Sequence, residues 1–143
     1  MLRWGAFVAA LWAGVLMCIA LIAAPAPFAS LAPADAGRVA GRMFAIEAYL
    51  SLAMAVLLYM IVRRQSSRDA AAGRGSVLSG NALLVFGTLF CTVAGFFALQ
   101  PMMAAARAGQ GALSFGMLHG ISALLFGLKT LLVLALAWRL GAR

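Results

Sequence analysis

The sequence predicts an all-α integral membrane protein, with four transmembrane helices in an antiparallel bundle, on three observations. Of its 143 residues, 66% are hydrophobic and 10% charged, and the mean hydropathy is +1.06. A soluble domain carries about a quarter charged residues. The apolar residues gather into four runs, roughly 4–24, 43–62, 82–99 and 115–138. Each is close to the ~20 residues that an α-helix needs to cross ~30 Å of hydrocarbon. None of these runs alternates polar and apolar residues, as the strands of a closed barrel, the other backbone-satisfying solution in lipid, must do.

The first run opens MLRW and ends in AAPAPFA. Its small residues resemble a secretory cleavage site, but the apolar stretch exceeds the 7–15 residues or so of a signal h-region, so it is read as a retained helix. Pro25 and Pro27 predict its end or a kink, because proline lacks the amide donor and clashes with the preceding turn. The second run follows Arg38 and Arg42 and closes at Arg63 and Arg64, the third closes at Leu99-Gln100-Pro101, and the fourth closes at Arg139. The connections PAPFASLAPADAGR and PMMAAARAGQGALS are too short for a further folded domain, so residues 1–143 are read as one unit. An even number of crossings puts both termini and the RRQSSRDAAAGRGS connection on one side. That side collects Arg3, Arg63, Arg64, Arg68, Arg74, Arg139 and Arg143, against Arg38, Arg42 and Arg107 on the other. Seven against three predicts cytoplasmic termini in a bacterial inner membrane.

The formal charge is +8, yet the cations sit at the ends of apolar runs rather than in a stripe interleaved with aromatics, so the lipid bilayer and not nucleic acid is the expected partner. Cys18 and Cys91 lie inside apolar runs without CxxC spacing and read as small buried apolar residues. Phosphate loops, nucleophile elbows and paired histidines are absent, which argues against triad or metallohydrolase catalysis. Gly37 and Gly41, and likewise Gly116 and Gly120, are spaced for close helix approach within the bundle or in a homo-oligomer.

Ionisable groups inside hydrocarbon are costly and call for a partner or a watery cavity. Counting from the inner arginines at 1.5 Å per residue places Lys129 about 15 Å up, Glu47 about 24 Å and His119 about 30 Å. At ~100° per residue, His119, Ser122, Phe126, Lys129 and Thr130 share one face of the fourth helix. Glu47 and Ser51 share a face of the second helix; Asn81, Thr88, Thr92 and Gly95 share one of the third. These faces are expected to meet and satisfy one another. Lys129 either snorkels inward, pairs with Glu47, or carries charge along an ion path. His119 is a packing residue at the outer rim, a proton-titrating group or a haem ligand. Met17, Cys18, Met43, Met102, Met103, Met117 and His119 fall in the outer half and together offer soft ligands suited to Cu(I), without close Met-x-x-Met spacing. No cofactor is favoured, and a metal is left unassigned.

Three stretches, PAPFASLAPADAGRVAGRMF, LQPMMAAARAG and FGMLHGISALL, together resemble the small four-helix membrane family typified by transmembrane protein 205, whose function is unknown. The more specific elements are Leu99-Gln100-Pro101 and the His119-Gly120-x-Ser122 step. The resemblance implies a four-helix membrane protein and a shared site among Phe28, Gly37, Phe44, Gln100, Pro101, His119 and Ser122. Glu47 stands where an aromatic is usual, Phe126 where an amide is, and Lys129 lies outside the motif. The carbonyls freed by the outer prolines need donors, and His119 and Ser122 lie at the right depth to clamp them. The resulting functional expectation is a non-enzymatic bundle that binds a ligand or a membrane-protein partner at an outer polar cluster of Gln100, Arg107, His119, Ser122 and Glu47. The alternatives are a haem- or metal-linked redox protein and a small transporter.

Overall fold

The computed structural model describes residues 2–142. The described chain is all-helical, with four helices long and apolar enough to cross a membrane. The first crossing comprises α1 (Leu2–Cys18), a π-helical turn at Ile19–Ala23 and α2 (Pro25–Ser30). The second is α3 (Pro33–Ala71), the third comprises α4 (Gly80–Thr92), a π-helical turn at Val93–Ala98 and α5 (Leu99–Arg107), and the fourth is α6 (Phe115–Gly141).

These helices run further than the apolar runs do. α3 has 39 residues, about 58 Å at 1.5 Å per residue, nearly twice the hydrocarbon thickness. Most of PAPFASLAPADAGR is helical, as is the Pro101–Arg107 part of the third connection. The reason is visible at the prolines. Pro33 sits in the first turn of α3 and Pro25 in that of α2, where the missing amide is not needed. Pro25, Pro27 and Pro101 do not end their crossings, because a π-helical turn stands just before each proline step and absorbs the misfit, so the helix continues. Actual termination falls to glycines: Gly73 and Gly109, at φ of 69° and 73°, adopt the left-handed conformation that stops a helix. Restarts are capped by Ser79, which accepts from the Ala82 amide, and by Ser114, which accepts from the Met117 amide.

α6 packs against α1 and α4, and α3 packs against the same two helices. α3 and α6 therefore face one another across the bundle axis. The half nearer the termini is filled by one apolar core that includes Trp12, Leu16, Leu58, Val62, Val85, Val133, Leu136 and Leu140. Toward the other end packing thins to a small cluster of Leu99, Met103 and Leu118. Exposed apolar side chains such as Phe7, Leu83, Phe90 and Leu124 face outward, as lipid-facing surfaces require.

The glycines that let helices approach are not the expected ones. A Cβ at Gly37, Gly41, Gly116 or Gly120 would meet nothing within 4 Å, whereas one at Gly95 would lie 3.1 Å from the Leu125 Cβ and one at Gly87 2.9 Å from a Leu132 methyl. Within the bundle, close glycine contacts therefore join the first crossing to the second at Gly5, where a Cβ would lie 3.1 Å from Ile61, and the third to the fourth at Gly87 and Gly95, and none of them belongs to the expected four-residue pairs. Leu125 offers a stiff Cβ at that point, while Leu132 can swing its side chain end. Gly95→Val is accordingly expected to destabilise the bundle by about 1–3 kcal/mol, read as a lowered melting temperature in detergent. Gly116→Val serves as control, and equal melting temperatures for the two variants would refute this assignment of the contact.

Candidate functional site

Where the packed core stops, four helices contribute to one polar cluster. Lys129 of α6 lies 2.7 Å from the Glu47 carboxylate of α3, with each side chain 4% exposed. Its Nζ also donates to Ser51 Oγ at 3.3 Å, and the Trp12 indole of α1 donates to the same hydroxyl at 3.3 Å. Ser51, one turn after Glu47, donates in turn to the carboxylate. The Lys129 ammonium lies 4.7 Å from the centroid of the Phe126 ring, a cation–π contact strengthened by burial. Phe126 meets Phe44 edge-to-face at 5.6 Å. Cys91 and Thr92 of α4 complete the surroundings.

The pair thus bridges helices that are not neighbours. The helical count separates Glu47 and Lys129 by about 9 Å in depth, which the long lysine stem and the glutamate side chain span between them. A buried ion pair is kept only when both ions are paired and hydrogen-bonded, and here the ammonium has the carboxylate, a hydroxyl and an aromatic face.

Beyond this floor opens a cavity of about 1180 Å3. The volume is somewhat above the ~300–1,000 Å3 usual for small-molecule sites. Its walls come from all four crossings and include Met17, Leu21, Phe28, Gly37, Gly41, Phe44, Gly95, Phe96 and Ala123, and its mouth carries Arg38, Gln100, Arg107 and His119. A shallower apolar groove of about 610 Å3 runs along α1 and α3 and shares Arg38 and Glu47.

Gln100, Arg107, His119, Ser122 and Glu47 all line the large cavity, as does Lys129. They are spread along it, with the charged pair at the floor and the others toward the mouth. Ser122 Oγ donates to the Gly95 carbonyl at 2.8 Å, inside the π-helical turn preceding Pro101, so it ties α6 to that irregular backbone. His119 makes no such bond; it is exposed and stacks on Phe115 with centroids 5.8 Å apart. Arg107 lies over the same Phe115 ring, 4.5 Å from its centroid. Apart from the Gly95 carbonyl, which accepts from Ser122, the polar face of the third crossing bonds within its own helix. Thr88 donates to the Val85 carbonyl at 2.7 Å and Thr92 to that of Thr88 at 2.9 Å, because a helical hydroxyl with no partner across the bundle can bond to a carbonyl of its own preceding turn. Thr130 does the same to Phe126, and the Asn81 side-chain oxygen is buried without a partner among the described residues.

Of the soft ligands, Met17, Met103 and His119 line the cavity, while Met43 lines the groove and Cys18, Met102 and Met117 are exposed. Three of the seven thus share one cavity and the other four lie outside it. Sequence reasoning missed Trp12 and Phe115: each is an aromatic among many in an apolar chain, and only the fold shows which polar groups they touch.

A family profile described as Domain of unknown function (DUF4149) matches residues 7–112. The chain belongs to this family. The DUF4149 match covers the first three crossings and ends before α6, so Glu47, Gln100 and Arg107 fall inside it and His119, Ser122 and Lys129 beyond it. No curated protein and no solved structure matches the chain.

Proposed function

We propose that this multi-pass membrane protein is a non-enzymatic binder, and that the cavity above the Glu47–Lys129 pair is its ligand site. The observation that carries the reading is the asymmetry of the bundle interior: a cavity of about 1180 Å3 at one end, closed by a buried ion pair and a filled apolar core at the other. A compartment closed at one end fits storage, sensing or presentation of a ligand better than conduction. Its walls are mostly apolar with a few polar groups at the mouth, the composition of sites for hydrophobic or amphipathic molecules. The likeness to the transmembrane protein 205 group is part of this reading, supported by the place of Phe28, Gly37, Phe44, Gln100, His119 and Ser122 along one cavity.

The orientation follows from charge. Termini in the cytoplasm of a bacterium, with the cavity mouth facing outward, agree with the arginine asymmetry; Trp4 and Trp138, 71% and 79% exposed, suit an interface at the termini on either side of the membrane.

The test is direct. Protein purified in detergent is extracted into organic solvent and the extract is analysed by mass spectrometry, alongside a visible spectrum and metal content. About one amphipathic molecule per chain is the expected result. A haem Soret band or stoichiometric copper would transfer the site to redox chemistry, and a protein that neither carries nor takes up any apolar molecule would overturn the proposal.

A further inference from the structure

The chain has three acidic side chains, Asp35, Glu47 and Asp69, and each is already engaged by a cation: Asp35 by Arg38, Glu47 by Lys129 and Asp69 by Arg74. Arg107 at the cavity mouth therefore has no carboxylate partner among the described residues. It is nonetheless held in place. It ends α5, where the helix dipole favours a cation, and its guanidinium lies on the Phe115 ring that also stacks His119. Neither contact neutralises its charge. Beneath it the cavity is apolar down to Phe44 and Phe126.

We infer that the ligand is a lipid anion, with its acyl chain in the cavity and a single anionic headgroup at Arg107, and with Gln100 and His119 as neighbouring hydrogen-bonding groups. This rests on the reading of the cavity as a ligand site. Charge complementarity selects the mouth rather than the floor, because the Lys129 ammonium is already matched by Glu47. It selects Arg107 rather than Arg38, which is matched by Asp35. A planar guanidinium with several donors suits a carboxylate or phosphate oxygen pair. An acyl chain accounts for the apolar depth that a small anion would leave empty.

The experiment compares oleate with oleyl alcohol at equal mole fraction in neutral detergent micelles, using the full chain, with acetate as a headgroup without a tail. Wild type is expected to bind oleate about tenfold more tightly than the alcohol, the scale of one charge-assisted contact. Arg107→Gln should remove that difference and leave oleyl alcohol binding within about twofold, while Arg64→Gln, an exposed arginine outside the cavity, leaves oleate binding unchanged. Retained alcohol binding also shows that the Arg107 variant is folded. Equal binding of oleate and alcohol by wild type would overturn the headgroup assignment and leave the cavity reading standing; failure of both to bind would remove the cavity reading as well. Competition by acetate as effective as that by oleate, or loss of both ligands on Arg107→Gln, would also overturn the inference.

Discussion

Replacing Lys129 with methionine is expected to destabilise the bundle by about 3–5 kcal/mol, the scale of stranding one member of a buried ion pair. The glutamate then remains at the bundle axis with its Ser51 bond as the one remaining side-chain contact from the cluster, and its short stem cannot carry the charge to an interface. Glu47→Gln should cost less, because the lysine left behind keeps the Ser51 hydroxyl and the Phe126 face and has a stem long enough to move. The double variant Glu47→Met with Lys129→Met is expected to recover most of the loss, since a matched apolar pair avoids the desolvation that two charges incur. Melting temperatures of all four proteins in one detergent test this. A double variant no more stable than Lys129→Met would mean that the pair does not act as a unit.

Filling the cavity at Gly41 is the second large effect. Gly41 lines the cavity, and a Cβ there meets nothing within 4 Å, so a ring at this position projects into open space instead of into a neighbour. Gly41→Phe is expected to lower retention of any amphipathic ligand by more than about tenfold, equivalent to ~1.4 kcal/mol, while the melting temperature holds or rises, because glycine is a poor helix former by about 1 kcal/mol. Gly116→Phe is the matched control: its Cβ is equally unobstructed, but the position does not line the cavity. Equal ligand retention by the two variants would rule the cavity out as the binding place. A fall in melting temperature with Gly41→Phe alone would mean that the wall at Gly41 closes in solution.

Both effects depend on the same division of the interior. The ion pair closes the packed half of the bundle and forms the floor of the open half, so groups that set stability and groups that would meet a ligand share an edge. Glu47, Phe126 and Lys129 all meet at that floor. Gln100, Arg107 and His119 stand toward the mouth.

The amino-acid sequence by itself determined the number of crossings, their all-helical character and the faces that turn inward, because in hydrocarbon an unsatisfied backbone is so costly that apolar length and helical period leave few alternatives. It also singled out Glu47 and Lys129, since a charge inside such a run is conspicuous whatever the fold. Helix ends were less legible: hydropathy marks where the lipid stops, while the helix goes on until a left-handed glycine ends it, as at Gly73 and Gly109. Only the tertiary structure decided that the prolines are absorbed by π-helical turns, that within the bundle Gly5, Gly87 and Gly95 rather than the evenly spaced glycines stand at close helix contacts, and that threonines turn back on their own carbonyls. Those outcomes depend on how helices rotate and tilt against one another, and no local run of residues encodes that. The cavity belongs to the same category, because an empty volume is a property of all four walls at once.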